Sequence, residues 1–207
     1  MENKNVVIVD YGMGNLFSVQ KKVAKIYPHV LVSNKADDIL SAAKIILPGV
    51  GHFAKAVENL HQYNIWDALN TAVLVNKNPI LGICLGMQLM AKYSEEGNCE
   101  GLGWMDGKVI AFKVDDNLRF KIPHTGWNQV YQQKNSKLVQ DIPDASMFYF
   151  VHSYRYATEN TDEILHTTNY EITFPSAIEK NNIFGVQYHP EKSHDIGLQM
   201  IKNFINL

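Results

Sequence analysis

Short apolar runs alternate with amphipathic stretches along the first half of the chain. Aliphatic residues dominate positions 6–9, 30–32, 45–47 and 80–83. Runs of this length, apolar throughout, are typical of strands buried on both faces. The segments that follow them, beginning with 15–27, place apolar residues at helical spacing. Alternation of buried strands with helices predicts a parallel sheet that is covered by helices.

From about residue 107 the pattern changes to strand-like runs with few helical stretches between them. The predicted strands are 108–114, 127–131, 147–152, 164–168 and 183–188. Their spacing favours antiparallel hairpins. A closing helix is predicted at about 193–206, and the apolar residues on its single stripe are Ile196, Met200, Ile201, Phe204 and Ile205. The predicted fold class is α/β, with a central, mostly parallel sheet flanked by helices and an antiparallel-rich C-terminal half.

Composition limits the class of protein further. The 207 residues, 46% of them hydrophobic, fit one globular domain over 1–207. A net charge of −2 provides no basic surface for nucleic acid or for an anionic membrane, so neither partner is expected. No apolar run approaches the roughly 20 residues that span a bilayer, and the first nine residues lack the pattern of an export leader.

Cysteine usage indicates a reducing compartment. Cys84 and Cys99 are too few for a disulfide framework, and no C-x-x-C pair suggests a structural metal site. A cytoplasmic protein without a bound metal is therefore predicted.

The segment 82–86, Gly-Ile-Cys-Leu-Gly, lies where a predicted buried strand meets a helix. It has the form of a nucleophile elbow, with cysteine in place of serine. Gly82 and Gly86 remove side chains that would collide with the neighbouring strand and helix. The amino terminus of the following helix is expected to favour the thiolate form of Cys84. Cys84 is thus the predicted nucleophile, whereas Cys99, which has no such context, is expected to be a small apolar residue.

A cysteine nucleophile needs a base, and among eight histidines the segment 186–191, Val-Gln-Tyr-His-Pro-Glu, is the best candidate. Pro190 favours an extended backbone at His189. In an extended chain Glu191 shares a face with His189, so its carboxylate can hold one imidazole nitrogen while the other faces the thiol. The predicted catalytic groups are Cys84, His189 and Glu191. His124 and His152 are candidates to line the site, and either one is the alternative base.

Acyl chemistry also needs hydrogen-bond donors for a developing oxyanion. The backbone N–H of Leu85, directly after the nucleophile, is one. The second is predicted in the loop 48–51, Pro-Gly-Val-Gly, whose glycines Gly49 and Gly51 flank Val50 and let N–H groups turn inward. The glycine pair at 12 and 14 does not continue as a nucleotide-binding motif, because the third glycine position is Phe17.

Together, the elbow, the His-Pro-Glu segment and the loop 48–51 resemble class I glutamine amidotransferases over essentially the whole chain. Four blocks, at 10–15, 82–88, 123–128 and 185–193, are similar more narrowly to the glutaminase subunits of imidazole glycerol phosphate synthase. The resemblance implies a Cys-His-Glu triad that hydrolyses L-glutamine without a cofactor. It also implies that Gln88 contacts glutamine and that the loop 48–51 switches its orientation.

The resemblance further implies a partner. In that family ammonia passes through a tunnel in a separate (β/α)8 cyclase subunit to a ribulosyl phosphate, which yields imidazole glycerol phosphate and AICAR in histidine biosynthesis. A heterodimer is therefore expected here. The residues expected to face the cyclase are Gly12, Gly14, Asn15 and Trp127.

One position departs from the family pattern. Thr125 stands where the Pro-His-Met-Gly-Trp-Asn block usually has methionine. The departure also fits a paralogue that supplies ammonia for bacterial surface-sugar biosynthesis. Two other classes stay open from the residues: a free-standing cysteine hydrolase acting on peptides or γ-glutamyl compounds, and a non-enzymatic α/β protein that keeps a reactive cysteine.

Overall fold

The first half of the chain alternates strands with helices. A computed structural model describes residues 5–207, and residues 1–4, part of the N-terminal stretch assessed for an export leader, lie outside the described residues. The elements are β1 (Val6–Val9), α1 (Leu16–Ala24), β2 (Val30–Ser33), α2 (Ala36–Leu40), β3 (Lys44–Gly49), α3 (Phe53–Gln62), α4 (Trp66–Asn70) and β4 (Ile80–Cys84). A π-helical turn, Thr71–Val75, follows α4. All four strands predicted for this half are confirmed.

The second half is rich in strands. Its elements are α5 (Leu85–Gln88), β5 (Tyr93–Ser94), β6 (Cys99–Glu100), β7 (Lys108–Ala111), β8 (His124–Gln129), β9 (Tyr131–Gln132), β10 (Met147–His152), β11 (Tyr154–Ala157), β12 (Ile164–Tyr170), β13 (Ile172–Lys180), β14 (Ile183–Val186) and α6 (His194–Ile205). Short 3-10 turns occur at Lys137–Val139, Thr161–Glu163 and Pro190–Lys192.

Several predicted boundaries in this half differ from the structure. The prediction at 147–152 matches β10, but the run 108–114 ends as a strand at Ala111 and the run 183–188 ends at Val186. The predicted strand 127–131 is replaced by β8 and β9. The sequence did not predict β13, which at nine residues is the longest strand.

The main sheet has the strand order β2-β1-β3-β4-β14-β13-β12-β9. The strands from β2 to β14 pair in parallel, and β13, β12 and β9 complete the sheet by antiparallel pairing. A two-stranded sheet, β10-β8, and a four-stranded sheet, β11-β7-β5-β6, lie beside it. The predicted α/β class with a mostly parallel centre and an antiparallel-rich second half is confirmed.

The position of β14 matters most for the site. It was predicted within the antiparallel half, yet it pairs in parallel with β4, with Val186 opposite Ile83. Because parallel strands end at the same edge of a sheet, the residues after β14 emerge beside the residues after β4. The predicted nucleophile and the predicted base therefore reach one edge from opposite ends of the sequence.

Both faces of the parallel strands are buried. Val7, Val9 and Leu47 face a core on the side of α3, whereas Ile8 and Ile46 face a core on the side of α1 and α6. The predicted stripe of α6 is buried at Met200, Ile201, Phe204 and Ile205 and half-buried at Ile196. Within residues 5–207, no helix is long and apolar enough to cross a membrane.

Candidate active site

Cys84 lies at a sharp junction between β4 and α5. It is the last residue of β4, has a φ of 54° and is 5% exposed. A Cβ on Gly86 would overlap the carbonyl oxygen of Leu47, and one on Gly82 would lie 2.6 Å from the carbonyl oxygen of Gly86. Both glycines are thus required for the turn, as the sequence predicted. The helix after Cys84 has only four residues, so its dipole at the thiol is weak.

His189 and Glu191 form a buried pair. The imidazole Nδ1 lies 2.8 Å from Oε1 of Glu191, and the two side chains are 2% and 3% exposed. The expected contact is present, but its predicted geometry is wrong: Glu191 lies in the 3-10 turn Pro190–Lys192 rather than in an extended strand. His189 Nε2 is buried and makes no hydrogen bond to any residue from 5 to 207.

The backbone of His189 is fixed on both sides. Its N–H donates to the carbonyl of Tyr149 in β10 at 2.8 Å. Its carbonyl accepts from the hydroxyl of Ser193 at 2.6 Å, and that hydroxyl in turn accepts from the N–H of Tyr149 at 3.0 Å. The imidazole is therefore held between β10 and the start of α6.

Charge around His189 favours the imidazolium. Burial alone would lower the pKa of His189, but the negative charge on Cys84, together with the hydrogen bond to Glu191 and its charge, outweighs burial and raises the pKa to about 9. The protonated ring is the form that can deliver a proton to a leaving group.

A pocket of about 270 Å³ opens at Cys84. This volume is slightly below the roughly 300–1,000 Å³ typical of sites for drug-sized ligands, and so suits a small metabolite. Its lining residues are Val50, Gly51, Cys84, Leu85, Gln88, Glu96, Pro123, Val151, His152, Ser153 and Tyr154. Of the predicted substrate-binding residues, Val50, Gly51, Leu85 and Gln88 line this pocket, and Gly49 does not.

Two glutamine side chains connect the pocket to the thiol. Gln88 Nε2 donates to the carbonyl of Tyr154 at 3.1 Å and to Oε1 of Gln187 at 3.0 Å. Gln187 Nε2 lies 3.6 Å from Sγ of Cys84. The sequence analysis assigned no role to Gln187, although its place two residues before His189 in an extended segment was a usable signal. Glu96 was also missed, and no local pattern marks it.

His124 and His152 form a second histidine pair. His124 Nδ1 lies 2.9 Å from Nε2 of His152, and His152 Nδ1 lies 2.8 Å from the carbonyl of Tyr154. Because a carbonyl only accepts, His152 carries its proton on Nδ1 and His124 must donate from Nδ1. Burial lowers the pKa of His124 to about 4, and burial with the charges on His124 and His189 lowers that of His152 to about 3. Both rings are neutral and hydrogen-bonded, and only His152 lines the pocket.

The loop 48–51 is packed by the turn that follows β1. Gly49 pairs with Cys84 in the β3–β4 ladder. A Cβ on Gly14 would lie 3.3 Å from Cα of Gly49, and one on Gly51 would lie 2.7 Å from the methyl carbon of Met13. The N–H groups of Val50 and Gly51 have no hydrogen-bond acceptor among the described residues.

The residues expected to face a partner are mostly accessible. Trp127 is 43% exposed, and its ring stacks on His194 at a centroid distance of 4.9 Å. Gly12 and Asn15 are exposed, and Gly14 is half-buried against the loop 48–51. Asn15 also caps α1 by accepting from the N–H of Ser18 at 3.2 Å.

The chain is similar to known proteins along nearly its whole length. Residues 7–207 match the family model described as "Glutamine amidotransferase class-I". Imidazole glycerol phosphate synthase subunit HisH 2 of Methanococcus maripaludis is 46% identical over 200 residues, which cover 97% of this chain and 98% of that protein. The subunit of the same name from Pseudomonas aeruginosa is 41% identical over 202 residues, covering 98% and 99%. A solved glutamine amidotransferase structure superposes with a TM-score of 0.76 at 14% identity, over 98% of this chain and 100% of that one.

The buried histidines predict a stability maximum near pH 6.5. Burial lowers the pKa of His124 and His166 to about 4 and that of His152 to about 3, so all three stay neutral in the fold, whereas the unfolded chain binds protons at these histidines below pH 6.5. The free energy of unfolding should fall on acidification, by up to about 1.4 kcal/mol per pH unit for each histidine. His189 acts oppositely: its stabilising proton is fully bound below pH 6.5 and is lost as pH rises to about 9.

Urea denaturation at pH 5, 6.5 and 8.5 measures this profile. His166→Gln should reduce the acid slope, while His61→Gln, at an exposed position on α3, should leave it unchanged. Equal acid slopes for the His166 variant and the wild type would contradict the assignment.

Proposed function

We infer that this chain, which belongs to the class I glutamine amidotransferase family, is the glutaminase subunit of an imidazole glycerol phosphate synthase. The observation that carries the proposal is the buried pair His189 and Glu191, which presents an unpartnered Nε2 at the sheet edge where the elbow holds Cys84. Relatives 41–46% identical over nearly the whole chain, named as subunits of that synthase, support the choice within the family.

The proposed first half-reaction is formation of a thioester. Cys84 Sγ, which has given its proton to His189 Nε2, bonds to the side-chain amide carbon of L-glutamine, and the carbonyl electron pair moves onto oxygen, where backbone N–H groups of Leu85 and of the loop 48–51 stabilise it. His189 Nε2 gives its proton to the amide nitrogen, the C–N bond breaks, and ammonia leaves. Gln88, through Gln187, orients the site around the sulfur.

The second half-reaction returns the enzyme to its starting state. Neutral His189 takes a proton from water, whose oxygen attacks the thioester, and glutamate leaves as the C–S bond breaks. Glu191 stabilises the imidazolium through Nδ1 and keeps Nε2 directed at the reacting atoms.

Ammonia from this reaction is proposed to pass to a separate cyclase subunit. The exposed Trp127 and the turn 12–15 would contact that subunit in a heterodimer, and the same turn packs on the loop 48–51. Cyclase binding at the turn would thus affect the loop 48–51, in which the N–H groups of Val50 and Gly51 have no hydrogen-bond acceptor among the described residues. Glutamine hydrolysis should accordingly be slow for the isolated subunit.

Reconstitution tests the proposal. The chain is mixed with the cyclase subunit of its own organism, the ribulosyl phosphate substrate and glutamine, and glutamate and imidazole glycerol phosphate are measured. We expect glutamate release at least about 10²-fold faster than from the isolated chain, the factor associated with one oxyanion donor. Full activity of the isolated chain would contradict the proposed activation.

Thr125 favours a second candidate for the protein that receives the ammonia. It is exposed in β8, two residues before Trp127 and on the same side of the strand, so the surface next to the indole differs from one that carries methionine. A synthetase of surface-sugar biosynthesis is then the alternative recipient of ammonia. Stimulated glutamine hydrolysis without imidazole glycerol phosphate formation would favour it.

Cys84 is predicted to be the residue that an electrophilic glutamine analogue labels. Cys84→Ala should abolish glutamine hydrolysis and leave the thermal melt nearly unchanged, because the thiol donates at most a weak 3.8 Å contact to the carbonyl of Val151. Cys99→Ala, in β6, is the matched control and should retain activity. Mass spectrometry locates the label, and label on Cys99 alone would overturn the assignment.

Glu191→Gln is predicted to lower kcat by up to about 10⁴-fold while retaining measurable activity, since an amide keeps the shape but cannot stabilise the imidazolium. His189→Asn should be more damaging, because no other group can protonate the departing ammonia. When the two substitutions are combined, the loss of kcat should be far smaller than the product of the two single losses. Wild-type kinetics for Glu191→Gln, with turnover by His189→Asn, would instead identify His152 or His124 as the base.

A further inference from the structure

The hydroxyl of Tyr11 is a buried polar group without a partner. Tyr11 follows β1, is 0% exposed, and its Oη makes no hydrogen bond to any residue from 5 to 207. Burial, together with charge on Cys84, raises the pKa of Tyr11 well above its usual value, so the hydroxyl stays protonated and can donate. A buried donor left unpaired in a folded protein requires an explanation.

This hydroxyl lies directly against the loop 48–51. A Cβ on Gly49 would overlap Oη of Tyr11 and would come within 2.9 Å of Cβ of Leu85. Only glycine at position 49 lets the phenol approach the backbone this closely. Tyr11 packs in the core on the side of α3 and does not line the pocket at Cys84.

The present orientation of the loop follows from the β3 ladder. The N–H of Ile45 donates to the carbonyl of Pro79, which precedes β4, so Ile45 directs its polar groups at β4. Alternate residues of a strand point to the same side, and Gly49, four residues on, is paired with Cys84. The Gly49 carbonyl is therefore directed at the end of β4, where the Leu85 amide begins α5.

That carbonyl competes with an oxyanion for the Leu85 amide. To place the Val50 N–H in the site, the peptide joining Gly49 to Val50 has to turn over. A planar trans peptide holds its N–H and C=O on opposite sides, so the Gly49 carbonyl then points away from β4. The strand on that other side of β3 is β1, and Tyr11 lies two residues beyond its end.

We propose that the Tyr11 hydroxyl donates a hydrogen bond to the turned Gly49 carbonyl and so stabilises the loop in the orientation that completes the oxyanion hole. Tyr11 is a positioning residue, since it acts through the Val50 N–H and does not touch substrate. The inference rests on the proposed glutaminase function and adds to it a residue that selects the active state of the loop.

Tyr11→Phe tests the proposal by removing a single oxygen atom. In the complex with the cyclase subunit and its ribulosyl phosphate substrate, kcat for glutamine hydrolysis should fall about three- to tenfold, the factor expected for one neutral hydrogen bond. KM for glutamine should not change, because the pocket is untouched. The melting temperature of the isolated chain should stay the same or rise, since an unpaired hydroxyl has been removed.

Tyr156→Phe is the matched control. Its hydroxyl is equally buried but is paired, accepting from the N–H of Gly107 at 2.7 Å and donating to Glu163 at 3.0 Å. This variant should lower the melting temperature and leave kcat unchanged, the reverse of Tyr11→Phe.

Three outcomes decide the matter. An unchanged kcat for Tyr11→Phe in a complex whose wild type is active would overturn the role of Tyr11 and leave the proposed function standing. A fall in melting temperature with a rise in KM would show that Tyr11 is merely structural. Absence of glutamine hydrolysis by the wild-type complex would overturn the proposed function and the inference together.

Discussion

The contact between α5 and β3 is the constraint on which the site depends. Gly86 lies so close to the carbonyl of Leu47 that no side chain fits between them, and Gly82 meets the backbone of Gly86 in the same way. This approach forces the chain to turn within one residue, and Cys84 takes the φ of 54° that results. Such a conformation costs on the order of 1–3 kcal/mol. Full burial of Leu85 and Met87 offsets it, so the strain persists and the thiol stays at the sheet edge.

The order of strands brings distant residues to that edge. Because β14 lies between its sequence neighbour β13 and the distant strand β4, the segment after Val186 passes the elbow. Gln187 and His189 alternate with Tyr188, so both face one side while Tyr188 fills the core between Phe148 and Phe150. The 3-10 turn at Pro190–Lys192 then returns Glu191 to the imidazole. Local geometry sets the His189–Glu191 pair, and sheet topology sets its distance from Cys84.

The sequence predicted what is local and missed what is long-range. The elbow, the buried parallel strands and α6 depend on spacing that can be read from the chain alone. In contrast, β13 carries Pro175 within a strand paired on both sides, which ordinarily argues against a central strand. It is tolerated because the register shifts beside it, between His166 and Thr167. Glu96 and Tyr11 become part of the site only through folding, since no motif relates Glu96 to the pocket or Tyr11 to Gly49.

Half of the buried side-chain atoms that lack a hydrogen-bond partner within residues 5–207 belong to the site. Away from the site, Arg155 Nε, His166 Nε2 and Glu179 Oε2 are also unpaired. In contrast, Glu163 accepts from the N–H of Asp106, from Tyr156 and from Lys180, and Thr168 donates to Ser176. The unpaired atoms at the site are Tyr11 Oη, His189 Nε2 and Glu191 Oε2. Each unpaired buried group costs about 1–3 kcal/mol. Tyr11→Phe would relieve that cost in the resting fold, yet these three atoms are those that substrate, thiolate and a turned loop would satisfy. The resting state is thus less stable than it would be without these unpaired atoms. The free-energy difference favours the state in which they are paired and the chemistry occurs.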